Sequence, residues 1–187
     1  MKKILLLLSI SNLVVSCVSI PSSRMETKMS SFKKEGMIAG TLSLEDKRSL
    51  SKYTLRFVQI ESGVEKNKFV DVFNTKKTNF AYNVGEIKFG YSEGDFKENG
   101  NDVYLFNIIK PSGKYRIFEL ETFHNSGSQL SQYSKRMPMD ITFEIVEGEI
   151  KYLGEINISL KDQNVKLINN IKRDRIKFTE KNTAIIF

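Results

Sequence analysis

Met139-Asp140-Ile141-Thr142-Phe143-Glu144-Ile145 alternates apolar and polar side chains without a break. Successive side chains on a strand point to opposite faces, so this stretch has one apolar face and one solvated face. The same period of two recurs upstream. Ile87, Phe89 and Tyr91 alternate with Glu86, Lys88 and Gly90, and Tyr53, Leu55 and Phe57 with Thr54, Arg56 and Val58. Near the start, Ile38, Gly40, Leu42 and Leu44 share a face opposite Ala39, Thr41 and Ser43. Downstream, the alternation puts Ile150, Tyr152, Ile156, Ile158 and Leu160 together, opposite Lys151, Glu155, Asn157 and Ser159.

Val103-Tyr104-Leu105-Phe106-Asn107-Ile108-Ile109 is apolar on both faces, which predicts a central strand covered on both sides. Turn signals separate the strands: Ser62-Gly63, Asn99-Gly100, Pro111-Ser112-Gly113, Ser126-Gly127 and Glu147-Gly148. Short strands at this spacing predict an all-β fold, an antiparallel β-sandwich of about 7–9 strands. One segment departs from the period. Ile171, Arg175 and Phe178 fall at helical spacing, which predicts a short C-terminal helix capped near Asn169 or Asn170. The apolar end, Ala184-Ile185-Ile186-Phe187, is expected to dock on the domain.

The first 17 residues have a different character. Lys2 and Lys3 precede an apolar run, Ile4 to Val15, broken by Ser9, Ser11 and Asn12. That run is shorter than the ~20 residues a membrane-spanning helix needs. It has the layout of a secretory leader. Leu13-Val14-Val15-Ser16-Cys17 closes it with the only cysteine in the chain. The segment resembles the lipobox of bacterial lipoproteins. The resemblance implies cleavage before Cys17, acyl chains on its thiol and permanent attachment to a membrane, since two or more acyl chains anchor firmly. Val18 after the cysteine, rather than Asp, implies the outer membrane.

The expected organisation is a signal peptide over 1–16, a lipidated tether over 17–34 and a sandwich domain over 35–187. The tether carries Ser19, Pro21, Ser22, Ser23, Ser30 and Ser31 without a period. As a flexible chain it would span roughly 20–25 Å. An ordered arm using Met25, Met29 and Phe32 is the other reading. With its one cysteine used for lipid, the domain has no disulfide, and its stability must come from its core.

Two local motifs carry a second resemblance. Pro111-Ser112-Gly113-Lys114-Tyr115 reads as a tight turn that starts a strand, with Tyr115 inward and its hydroxyl reaching backbone. Phe143 to Gly154 reads as a hairpin around Glu147-Gly148. The turn resembles that of prealbumin-like sandwiches, a group that takes in transthyretin-like and carboxypeptidase-regulatory-like domains. The hairpin resembles the closing hairpin of bacterial lipoproteins with such a domain. The resemblance implies a non-catalytic module.

Catalytic groupings are sparse. His124 is the only histidine, and it lies beside Ser126 and Ser128 without a nucleophile elbow. Glu119 and Glu121 stand two apart on a strand, on the face that Tyr115 and Ile117 occupy earlier, so they read as that face turning polar. The stretch from Ser92 to Asp102 is acidic, yet it lacks the ligand spacing of a calcium loop and has Lys97 at its middle. One histidine and no spare cysteine leave a structural zinc site without its usual ligands. No catalytic residue, metal ligand or cofactor is expected, and no binding residue is named.

The net charge is +7, with Lys2 and Lys3 in the leader. Lys172 to Lys177 is the densest basic cluster, and Lys110, Lys114, Arg116 and Lys135-Arg136 add scattered charge. Such charge serves solubility and can also meet anionic lipid or an acidic glycan. The expected partners are the membrane, through lipid on Cys17, and an envelope protein or glycan held by end loops such as 92–102 or 124–137. Nucleic acid is not expected. An envelope hydrolase and a carrier of lipid or a small ligand are the alternatives.

Overall fold

The computed structural model describes residues 29, 33–47, 51–60, 84–90, 93–125, 132–181 and 185–187. Cys17, the leader and most of the tether lie outside the described residues. Nine strands and one helix form among those described. They are β1 (Glu35–Glu45), β2 (Ser51–Ile60), β3 (Gly85–Phe89), β4 (Phe96–Glu98) and β5 (Asn101–Pro111). After these come β6 (Gly113–Asn125), β7 (Gln132–Ile145), β8 (Ile150–Ser159), β9 (Asn164–Ile168) and α1 (Ile171–Lys181). A five-stranded sheet in the order β4-β5-β1-β8-β9 stacks on a four-stranded sheet in the order β3-β2-β6-β7. Neighbours are antiparallel except β1 and β8, which run parallel. The fold is the all-β sandwich that the alternation predicts.

The main core lies between the sheets. Leu42, Leu44, Tyr104, Phe106, Ile156 and Ile158 from one sheet meet Tyr53, Leu55, Ile117, Leu120 and Phe143 from the other. A second, smaller core covers the outer face of the five-stranded sheet. Phe178 of α1 and the terminal Ile185 pack there on Met37, Ala39, Leu105 and Ile109. β5 is therefore buried on both faces, as its composition requires. β1 is too, although its alternation predicts a half-solvated strand. Its small second-face residues, Ala39, Thr41 and Ser43, look like solvated positions, but they make room for α1.

Two bulges reverse the parity of long strands. In β8 the pairing with β1 slips between Ala39 and Gly40, which face Tyr152 and Gly154. An extra residue flips every side chain beyond it to the opposite face. Ile150 thus packs in the outer core, and Ile156 and Ile158 in the main one. Strict alternation had put all three together. Gly154 sits at φ 124, a backbone conformation that suits glycine. In β6 the ladder slips between Ile117 and Glu119. Ile117 and Leu120 both face the core, so Glu119 and Glu121 lie on the opposite face from Tyr115 and Ile117. The expectation of one shared face is overturned by the same cause.

Phe143–Gly154 is not a hairpin. β7 ends in the four-stranded sheet and β8 starts in the other, as the parallel neighbour of β1. The crossing is fastened to the start of β1: Gly148 N–H donates to the Glu35 carbonyl at 2.9 Å, and Met37 N–H to the Glu149 carbonyl at 2.8 Å. Gly36 must be glycine there, because a Cβ would sit 1.9 Å from the Val146 carbonyl oxygen. The Pro111–Gly113 turn also changes sheets, from β5 to β6. Tyr115 after it is 3% exposed, stacks on Phe143 with ring centroids 5.7 Å apart, and donates from its hydroxyl to the Pro111 carbonyl at 2.8 Å.

Tyr115 therefore ties the crossing to the core. Tyr115→Ala should cost about 3–5 kcal/mol, as large aromatic truncations in cores do. Tyr115→Phe should cost only about 1 kcal/mol, the worth of one hydrogen bond. Urea unfolding measures both, and an alanine variant as stable as the parent would show that the ring carries no packing load.

Candidate functional site

The two sheets part at the end of the sandwich where β1 finishes. The opening is a cleft of about 450 Å³, lined among others by Asp46, Ser51, Tyr53, Thr122, Lys135 and Lys161. Register builds its wall. Ser51 of β2 faces His124 of β6, and Tyr53 faces Thr122, on the side of the sheet that farther in pairs Leu55 with Leu120. The core face thus turns polar as it nears solvent. Ser51 Oγ and His124 Nδ1 share a hydrogen bond of 3.0 Å. His124 lies at the end of β6 and pairs with a serine 73 residues away, whereas Ser126 and Ser128 lie outside the described residues. Ser51 is 1% exposed, so its hydroxyl belongs to the wall.

Glu119 and Glu121 stand on the outer face of the four-stranded sheet. Arg56 of β2 bridges them: Nη1 to Glu119 Oε1 at 2.7 Å, Nη2 to Glu121 Oε2 at 2.6 Å, and Nε to Glu86 Oε1 at 3.1 Å. Arg136 approaches both acids at 3.8–3.9 Å, and Ser134 donates to Glu121 at 2.7 Å. Burial acts to raise the Glu86 carboxyl, but hydrogen bonds from Arg56 and Lys88 outweigh it and leave the pKa lowered. The two carboxylates are therefore bridged by one guanidinium that clamps three strands. As a pair for acid–base chemistry they are already engaged.

A second charged cluster lies beneath α1. Asp174 is fully buried. Its Oδ2 accepts from Thr41 Oγ1 at 2.9 Å and from the Tyr152 hydroxyl at 2.5 Å, and its Oδ1 accepts from Arg173 Nε at 2.7 Å. Arg173 also pairs with Glu155 at 2.7 Å and with Glu98. Burial pushes the Tyr152 hydroxyl pKa up, and its bond to Asp174 adds to the rise. Burial likewise raises Glu155, and the Asp174 charge adds to that. Asn169 Oδ1 accepts from Ile171 N–H at 3.2 Å, where the sequence predicts the cap. The inward positions, however, are Asp174 and Phe178, and Arg175 is exposed. Thr41 and Tyr152 supply the donors that let a carboxylate take the place expected for Arg175.

Three acids of 92–102 also have partners. Asp95 accepts from Leu105 N–H at 2.8 Å and pairs with Lys181, Glu98 pairs with Arg173, and Asp102 pairs with Lys47 at 2.7 Å. Arg173 and Lys181 both belong to α1 and Lys47 follows β1, and the stretch includes β4 rather than being all loop. The Lys172–Lys177 cluster is split. Arg173 turns inward, Lys177 pairs with Glu180 at 2.9 Å, and Lys172 and Arg175 face solvent. Among the described residues no three His, Cys, Asp or Glu converge as a metal site. No helix among them is long and apolar enough to cross a membrane.

Replacing Arg56 by leucine should leave the buried Glu119 without its close cation. The expected loss is about 3 kcal/mol at neutral pH, since breaking a largely buried pair strands a charge. Glu86, lowered by Arg56, contributes stability above its ordinary pKa, and this is lost as pH falls through the lowered value. The deficit of the variant should therefore shrink below about pH 4. Thermal melts of both proteins from pH 3 to pH 8 measure it, and a deficit independent of pH would show that charge pairing is not its source.

No protein-family model matches this chain, and no curated protein does. Among solved structures it is similar to a leucine-rich repeat protein from Bacteroides thetaiotaomicron. The identity is 13%, the TM-score 0.35, and the match covers 67% of this chain and 14% of the other. The chain thus spans about a seventh of the length of that protein, and at this score the likeness carries no argument.

Proposed function

We infer that the chain is a lipid-anchored, non-catalytic module of the bacterial cell envelope, tethered through Cys17 to the outer membrane. It holds a partner or ligand at the far end of a transthyretin-like sandwich. The observation that carries this is the sequence start: Lys2-Lys3, the apolar run from Ile4 to Val15, and Ser16-Cys17 with the only thiol in the chain. Val18 is the ground for the outer membrane. The bond from the Tyr115 hydroxyl to Pro111 supports the transthyretin-like kinship in its local form.

The direction of β1 supports the rest. β1 begins at Glu35, beside the Val146–Glu149 crossing, and runs for 11 residues to the rim of the cleft at Asp46. That strand is about 35 Å long. A membrane attached ahead of Glu35 leaves the cleft facing away from the lipid. The chain from Cys17 to Glu35 reaches at most roughly 60 Å, enough to clear the headgroups. The Glu119–Glu121 pair and the Asp174 cluster bond to side chains of neighbouring elements, which is the conduct of clamps. An envelope hydrolase has one observation in its favour, the Ser51–His124 bond, but Ser51 is only 1% exposed.

Metabolic labelling with an alkyne fatty acid tests the anchor. The parent should label and sediment with membranes, and Cys17→Ala should do neither. A parent chain that stays unlabelled and soluble would overturn the reading.

A further inference from the structure

The cleft has an unusual wall. On β7 the odd-numbered residues Met137, Met139, Ile141, Phe143 and Ile145 all face the main core. Lys135 continues that series, and the register sets it beside Thr122, which in turn faces Tyr53. A cation thus stands on the face of β7 that farther in buries only apolar side chains. Lys161, from the turn after β8, lines the same opening, as do Asp46 and Gln163. Just inward, Tyr53, Leu55 and Leu120 are fully buried, so the cleft has a closed apolar floor.

These features narrow the occupant. About 450 Å³ is far more than an inorganic ion needs, and falls within the range of small-molecule sites. A long acyl chain has no room, because the core below the floor is filled. Two lysines on one rim favour an anionic group, by charge-assisted hydrogen bonds. Asp46, Thr122 and Gln163 take and give hydrogen bonds to neutral hydroxyls. We propose that this cleft binds an acidic sugar of one or two rings. Its carboxylate or phosphate lies on Lys135 and Lys161, its hydroxyls lie on Asp46, Thr122 and Gln163, and its apolar ring face rests on Met137 and Leu160. The proposal deepens the reading of a tethered binding module by naming the ligand class at its far end. An inward lysine on an edge strand also guards against strand-to-strand association, and the test separates that role.

The full chain, purified from membranes in detergent, is titrated calorimetrically with glucuronic acid, glucose 6-phosphate and glucose. One or both acidic probes should bind, and glucose should bind at least about tenfold more weakly, the worth of one charged contact. Which acid binds distinguishes carboxylate from phosphate. Lys135→Met and Lys161→Met should each weaken the acidic probe about tenfold. Lys172→Met, on the solvent side of α1, should leave binding unchanged. Lack of binding by both acids, equal binding of glucose, or a Lys135→Met variant that binds normally and only self-associates would each overturn the proposal. Fatty-acid labelling is read on the same preparation. Labelled protein that ignores both acids sinks the ligand alone, and unlabelled protein that binds them sinks the tether alone.

Discussion

The fold depends on burying both faces of β1. It is the middle strand of the larger sheet, flanked by β5 and β8, and every residue between its two ends is buried. The four-stranded sheet covers one face. The other would lie open without α1 and the chain end, which bring Phe178 and Ile185 onto Met37 and Ala39. Asp174 locks that cover. A carboxylate with no solvent contact is costly unless its oxygens are bonded, and here Thr41, Tyr152 and Arg173 bond both. Thr41 and Tyr152 reach it from β1 and β8, so its bonds fasten the helix to two strands.

The sheet faces were legible where strands keep period two, and illegible where they break it. Tyr53, Leu55 and Phe57, or Met139 to Ile145, read correctly because nothing interrupts them. Ile150 with Ile156, and Ile117 with Glu119, read wrongly because one extra residue reverses the count. Glycine marked one break, Gly154, but Phe118 gave no sign of the other. The Phe143–Gly154 stretch looked like a hairpin because hairpin turns and sheet-to-sheet crossings use the same residues. What decides between them is the strand waiting on the far side, β1, more than a hundred residues upstream.

The chemistry was legible as types and illegible as partnerships. The sequence shows that Glu119 and Glu121 share a face, but not that Arg56 lies across from them. It shows a lone histidine, but not Ser51, which meets it through the pairing of β2 with β6. It shows Lys135 in a scatter of basic residues, and only the register of β7 turns that lysine toward the core side. Thr41 was the subtlest case: a hydroxyl on a strand reads as solvent-facing until a buried carboxylate is found to need it.

The parallel contact between β1 and β8 has a further consequence for how the chain acquires its shape. Ile38 lies against Lys151 and Leu44 against Ile158, so the first of the described strands to be synthesised has to wait for the last but one. Folds dominated by such distant pairings form slowly, because the loop must close before any contact rewards it. A growing polypeptide of this kind cannot complete its middle before its C-terminal third emerges.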